Sequence, residues 1–211
     1  MSIDTLIFDL DGTISDPSEG IARSINHALA LLGYQTVAEE RVHRMIGPPL
    51  TEIFEHFLGP LAEDRLVDLV TAYRDRYATT GYRENVVYDG MPDVIATLAT
   101  RGFRLGICTS KRADYAGRIL EMFGLHGYFE FIDGGDIHVK KYMQLEKLLA
   151  NGVARERAIM IGDRALDIAA AKRNGMNSVG VTWGFAHAEE LDHAGPNQLA
   201  RSPAELLEMF A

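Results

Sequence analysis

The strongest constraint on this chain is a rhythm of short apolar runs alternating with helical patterns. Runs rich in branched residues occur at 5–8, 104–108, 129–132, 158–161 and 178–181, and their length and composition read as buried strands. Between the later runs lie helical patterns at 93–100, 113–123, 142–150 and 165–173, followed by Gly102, Gly124, Gly152 and Gly175. A glycine at that point is a helix stop, because it accepts the left-handed backbone that ends a helix. Strand and helix alternating in units of about thirty residues specify a parallel sheet with helices on both faces. The fold class expected is therefore α/β, with a Rossmann-like three-layer core.

One segment breaks the rhythm. Residues 16–86 show helical periodicity and no convincing strand. Ile21, Ile25, Ala28, Leu29 and Leu32 mark one apolar face, and Leu66, Leu69, Val70, Tyr73 and Tyr77 mark another. Gly33, Gly47-Pro48-Pro49 and Gly59-Pro60 punctuate it. The expected organisation is a core of 1–15 and 87–211, with 16–86 inserted after the first strand as a smaller all-helical domain.

Composition narrows the partners. A formal charge of −9 disfavours broad contact with nucleic acid polymers or anionic lipid, which need a concentrated basic face. It leaves open a small anionic substrate, which responds to the local field of a pocket. No apolar run approaches a membrane span, and the first ten residues carry Asp4 and Asp9 with no basic stretch, unlike a signal peptide. The lone cysteine, Cys108, reads as a small core hydrophobe. A cytoplasmic protein, monomeric or homodimeric, is expected.

Ligands of open parallel sheets lie at the carboxyl ends of the strands, and four polar clusters fall there. After the first run comes Asp9-Leu10-Asp11-Gly12-Thr13; two carboxylates two apart, followed by glycine, suit a cation site at a sharp turn. After the second comes Thr109-Ser110-Lys111, whose hydroxyls, amides and ammonium group suit phosphate oxygens, although taken alone such a run is more often a helix cap. Past the third lie Lys140 and Lys141, either of which could neutralise a phosphoryl-transfer site. After the fourth come Asp163 and Asp167, spaced to share one side of a helix start, where acids also complement the helix dipole.

Together these motifs resemble the haloacid dehalogenase superfamily, in its phosphatase branch with a helical cap. The stretches Ile46-Gly47-Pro48-Pro49-Leu50 and Gly180-Val181-Thr182-Trp183-Gly184 are similar to phosphoglycolate phosphatase-like members. The resemblance implies a phosphomonoesterase in which Asp9 is the nucleophile and Asp11 the acid and base. Asp9, Asp11 through its carbonyl, Asp163 and Asp167 would hold Mg²⁺. Thr109 and a lysine would hold the phosphoryl group, with Gly12, Thr13, Ser110 and Lys111 nearby. Aspartate at position 11 separates the chain from the dehalogenases, which lack that acid. Relatives often place proline after the third-motif lysine, whereas here Lys140 is followed by Lys141; spacing to Gly162 leans to Lys140 as the active-site lysine. On the cap, Arg44 is a candidate for a negatively charged substrate. Two other readings stand beside this one: a phosphomutase of the β-phosphoglucomutase type, and a phosphate-accepting signalling module.

Overall fold

The computed structural model describes residues 2–136 and 138–211, so Met1 and Ile137 of the expected core lie outside it. The chain opens with strand β1 (Thr5–Phe8), whose side chains are all buried, then a two-residue strand β2 (Ser15–Asp16). Four helices follow: α1 (Ser18–Leu31), α2 (Glu39–His43), α3 (Leu50–Leu58) and α4 (Glu63–Thr79). The breaks between them fall at the Gly and Pro clusters. A second short strand, β3 (Val86–Val87), pairs antiparallel with β2, so the chain leaves and re-enters the core side by side.

The remainder alternates as the periodicity predicts: α5 (Met91–Thr100), β4 (Arg104–Thr109), α6 (Ala113–Met122), β5 (Phe129–Gly134), α7 (Lys141–Ala150), β6 (Ala158–Gly162), α8 (Ala165–Arg173) and β7 (Asn177–Val181). It closes with α9 (Ala188–Ala194), β8 (Gln198–Ala200) and α10 (Pro203–Glu208). Six strands form a parallel sheet in the order β5-β4-β1-β6-β7-β8. Among the described residues, no helix is long and apolar enough to cross a membrane.

Side-chain alternation along the strands explains the layers. Leu6 and Phe8 of β1 join one apolar cluster with Val94, Ile95 and Leu98 of α5 and Ile119 and Leu120 of α6. Ile7 points the other way, into a second cluster with Leu145 and Leu148 of α7 and Ala170 and Ala171 of α8. A central strand buried on both faces has no polar alternation, which is why β1 reads as an unbroken apolar run. The helical insertion packs α1 against α4 through Ile21, Ile25, Ala28 and Leu29 on one side and Leu69, Val70, Tyr73 and Tyr77 on the other.

The strand order reverses around β1: the chain adds β4 and β5 on one side, then returns to add β6, β7 and β8 on the other. Such a switch point leaves a crevice beyond the carboxyl ends of the central strands. The inserted helices form a cap over that crevice.

Candidate active site

The backbone stays in sheet register one residue past β1, since the Asp9 amide donates to the Ile161 carbonyl at 2.8 Å. The chain then turns tightly. Gly12, with φ of 84°, donates its N–H to the Ser15 carbonyl at 2.8 Å. A side chain is excluded at Gly12 on two counts: the positive φ, and a would-be Cβ only 2.2 Å from Asp163 Oδ2. Gly184 packs against the same acid and against Gly12, since a Cβ there would fall 2.3 Å from the Gly12 carbonyl and 2.4 Å from Asp163 Oδ2.

Asp163, at the end of β6, is fully buried. Its Oδ2 accepts from the Phe185 amide at 2.7 Å and its Oδ1 from the Thr13 hydroxyl at 3.3 Å. Thr13 therefore spends its hydroxyl on an acid instead of standing open for substrate. Asp167, in the first turn of α8, is equally buried and accepts from the Arg164 amide at 3.0 Å. One carboxylate oxygen each from Asp9, Asp163 and Asp167 lies within 4.8 Å of the other two.

The lysine inside this group is Lys141. Its ammonium lies 2.8 Å from Asp9 Oδ2 and 2.5 Å from Asp167 Oδ1, with its side chain 3% exposed. The leaning toward Lys140 is corrected here: Lys140 is the extended residue just before α7, half exposed and paired with Glu52 of the cap. Lys141 begins the helix, so the backbone sends neighbouring ammonium groups in different directions.

Electrostatics make a cation the natural occupant. Three buried carboxylates face one ammonium, a formal excess of two negative charges in a buried site. Burial raises Asp163 well above the usual carboxylate range, with the charges of Asp167 and Asp9 adding to the effect. Burial also raises Asp167, with Lys141 opposing. Burial alone would lower Lys141, but Asp167 and Asp9 outweigh it and hold the ammonium firmly charged. Oxygen donors gathered this closely fit a hard divalent cation.

Asp11 stands apart from the three acids. Its Oδ2 is 2.9 Å from Lys111 Nζ, and its Oδ1 is buried with no partner among the described residues. Burial raises its pKa, with Lys111 opposing. Lys111 also donates to the Tyr77 hydroxyl at 2.8 Å, reaching from the core into cap helix α4. Thr109, at the end of β4, is buried; its Oγ1 accepts from the Lys111 amide at 3.2 Å, and its carbonyl accepts from Gln144 Nε2 at 3.0 Å.

Between cap and core lies a cleft of about 720 Å³, counting the part open to solvent. Asp11, Ser110 and Lys111 line it from the core, and Pro48, Pro49, Tyr73, Arg74 and Tyr77 from the cap. Arg44 is corrected by this geometry: it is exposed and does not line the cleft, because the chain turns inward only from Ile46 onward. The cap arginine that lines the cleft is Arg74, 2.7 Å from Asp136. The signal for it was present in the sequence: Val70, Tyr73, Arg74 and Tyr77 share one helical face, whose apolar character Arg74 interrupts.

The sequence pattern of haloacid dehalogenase-like hydrolases matches residues 6–181. The chain belongs to that family. It is similar to a 5'-nucleotidase of Pseudomonas aeruginosa, 38% identical over 209 residues that make up 97% of this chain and 94% of that protein. It is similar also to a phosphoglycolate phosphatase of Colwellia psychrerythraea, 31% identical over 97% of this chain and 95% of the other. The crystal structure of a predicted phosphatase from Clostridium acetobutylicum superposes with a TM-score of 0.94 at 33% identity, covering 100% of this chain and 99% of that one. This family member is an enzyme, a phosphatase with a buried aspartate site for a divalent metal.

Proposed function

We propose that the enzyme is a Mg²⁺-dependent phosphomonoesterase that passes the phosphoryl group of a small metabolite through Asp9 to water. The observation that carries this reading is the meeting of Asp9, Asp163, Asp167 and Lys141 within one buried cluster, beside an Asp11 that lines the cleft.

Asp9, Asp163 and Asp167, with the carbonyl of Asp11, would hold the cation. When bound, Mg²⁺ offsets the negative charge of carboxylate and phosphate, so that the two can approach. A carboxylate is a weak nucleophile and needs its target aligned. Thr109, Ser110 and the Lys141 ammonium supply donors to the phosphoryl oxygens, stabilising charge that grows as the transfer proceeds. Gly12 and Thr13 shape the turn and hold Asp163. One Asp9 oxygen bonds to phosphorus as the ester P–O bond breaks, and Asp11 gives its proton to the departing alkoxide. Asp11 then takes a proton from water, whose oxygen attacks the same phosphorus. The Asp9–phosphorus bond breaks, and inorganic phosphate leaves with the Asp9 carboxylate restored. Burial raises Asp11, in keeping with a group that must carry a proton in the first step and lose it for the second.

Residues 16–86 act as the cap that encloses the leaving group, and closure excludes bulk water from the acyl phosphate. The names of the relatives favour a nucleotide or a short phosphorylated acid as substrate. The test is phosphate release from a panel of phosphomonoesters with Mg²⁺, with EDTA, and after Mg²⁺ is restored. Release from at least one ester that vanishes with EDTA and returns with Mg²⁺ is expected. Release indifferent to chelation, or an isomerised sugar phosphate in place of inorganic phosphate, contradicts the proposal.

A further inference from the structure

Arg164 lies between two of the buried acids and touches both halves of the molecule. Its backbone amide donates to Asp167 Oδ2. Its side chain, 13% exposed, donates from Nε to Glu190 Oε1 at 2.8 Å. The same oxygen accepts from the Ala165 amide at 2.8 Å, which locks the start of α8 to α9. From Nη1 the guanidinium donates to the carbonyl of Ile46, across the domain boundary.

Ile46 immediately precedes Gly47-Pro48-Pro49, the cap loop that lines the cleft. Gly47 has φ of 127°, and a Cβ there would lie 3.0 Å from Arg164 Cγ and 3.2 Å from Nη1. The loop backbone thus rests directly on the arginine stem. Other contacts span cap and core, among them Lys140–Glu52 and Arg74–Asp136. Lys140–Glu52 is half exposed on both sides, where an ion pair contributes little. Arg164 differs because one residue holds the cap loop by its side chain and a buried acid by its amide. A planar guanidinium with five fixed donors suits that task, since Nε is held by Glu190 while Nη1 reaches the Ile46 carbonyl.

We infer that Arg164 is a positioning residue, a latch that couples seating of the Gly47-Pro48-Pro49 loop to the arrangement of the Asp163–Asp167 turn, so that cap closure and cation binding support each other. The inference rests on the cation site proposed above. By reciprocity, disturbing the loop at its contact with Arg164 weakens cation binding although no loop residue belongs to the acid cluster.

The experiment compares wild type, Arg164→Ala, Glu190→Gln, Gly47→Ala and the Arg164→Ala/Gly47→Ala double variant as full-length chains, each checked for folding by circular dichroism. The first readout needs no metal: the rate at which trypsin cuts after Arg44, an exposed residue two positions before Ile46, identified by mass spectrometry. The second is Mg²⁺ affinity by calorimetry. Loss of a charged hydrogen bond corresponds to roughly ten- to hundredfold in equilibrium, so Arg164→Ala should be cut about tenfold faster and bind Mg²⁺ about tenfold more weakly. Glu190→Gln should shift both in the same direction by less. Gly47→Ala should weaken Mg²⁺ binding several-fold, and the double variant should be no weaker than Arg164→Ala alone. Wild-type cutting in Arg164→Ala, unchanged Mg²⁺ affinity in Gly47→Ala, or additive effects in the double variant would overturn the latch. Should wild type itself bind no Mg²⁺, the proposed function fails, and the trypsin comparison still decides whether Arg164 holds the loop.

Discussion

Replacing Asp9 by asparagine should reduce turnover by roughly 10⁴-fold or more, the scale seen when a covalent nucleophile is removed, while leaving the fold intact. The two side chains are nearly isosteric. The single side-chain oxygen of asparagine can still accept from the Leu10 amide, as Asp9 Oδ1 does at 2.8 Å, while its NH2 group takes the place of the oxygen that accepts from Lys141. Removing one of three crowded carboxylates relieves repulsion and offsets the lost ion pair with Lys141, which keeps Asp167 as its partner, so the melting temperature in the absence of metal should change little. Single-turnover phosphate release and thermal unfolding measure the two halves. A variant that retains a few per cent of activity would show that Asp9 is not the attacking group.

The second large effect belongs to Lys141, and it separates the two adjacent lysines. Lys141→Met should lower turnover about 10²–10³-fold, the size expected when a preorganised donor to developing charge is lost. It should also destabilise the metal-free protein by about 3–5 kcal/mol, because Asp9 and Asp167 lose their buried counter-charge. Adding Mg²⁺ should restore part of that stability, since a cation bound to the folded state supplies charge to the same acids. Lys140→Met removes only a half-exposed pair with Glu52, so its stability should change by less than about 0.5 kcal/mol. Urea unfolding with and without Mg²⁺, alongside steady-state rates, provides the measurement. Equal effects from both lysines would contradict the placement of Lys141 inside the acid cluster.

Why one lysine was hard to choose from the sequence follows from its position. Lys140 and Lys141 straddle the boundary between extended chain and helix, and no periodicity applies across such a junction. Where periodicity does apply, the reading was close: β1 is found at Thr5–Phe8 as expected, because a strand buried on both faces leaves an apolar run. Strand β8 escaped because Gln198–Ala200 is a three-residue edge strand in which only Ala200 is fully buried. The two-residue strands β2 and β3 are too short for any period. The acids were legible for a different reason: parallel topology delivers every strand's carboxyl end to one edge, so Asp9, Asp11, Thr109 and Asp163 needed only the right strands to be neighbours. Cap residues have no such rule. Arg44 and Arg74 are both cap arginines, and only the packing of α4 over the core decides that Arg74 lines the cleft. The role of Arg164 in joining α9 to the cap loop depends on Glu190 and Ile46, far away in sequence and unmarked by any motif.

The central claim is that Asp9, Asp163 and Asp167 jointly hold a divalent cation. Crystals soaked in Mn²⁺ and measured at a wavelength where manganese scatters anomalously test it without reference to any substrate. One peak is expected, within about 2.0–2.3 Å of carboxylate oxygens from Asp9, Asp163 and Asp167, absent when excess Mg²⁺ competes. A map with no peak among these acids, or with manganese held only at the protein surface, would contradict it.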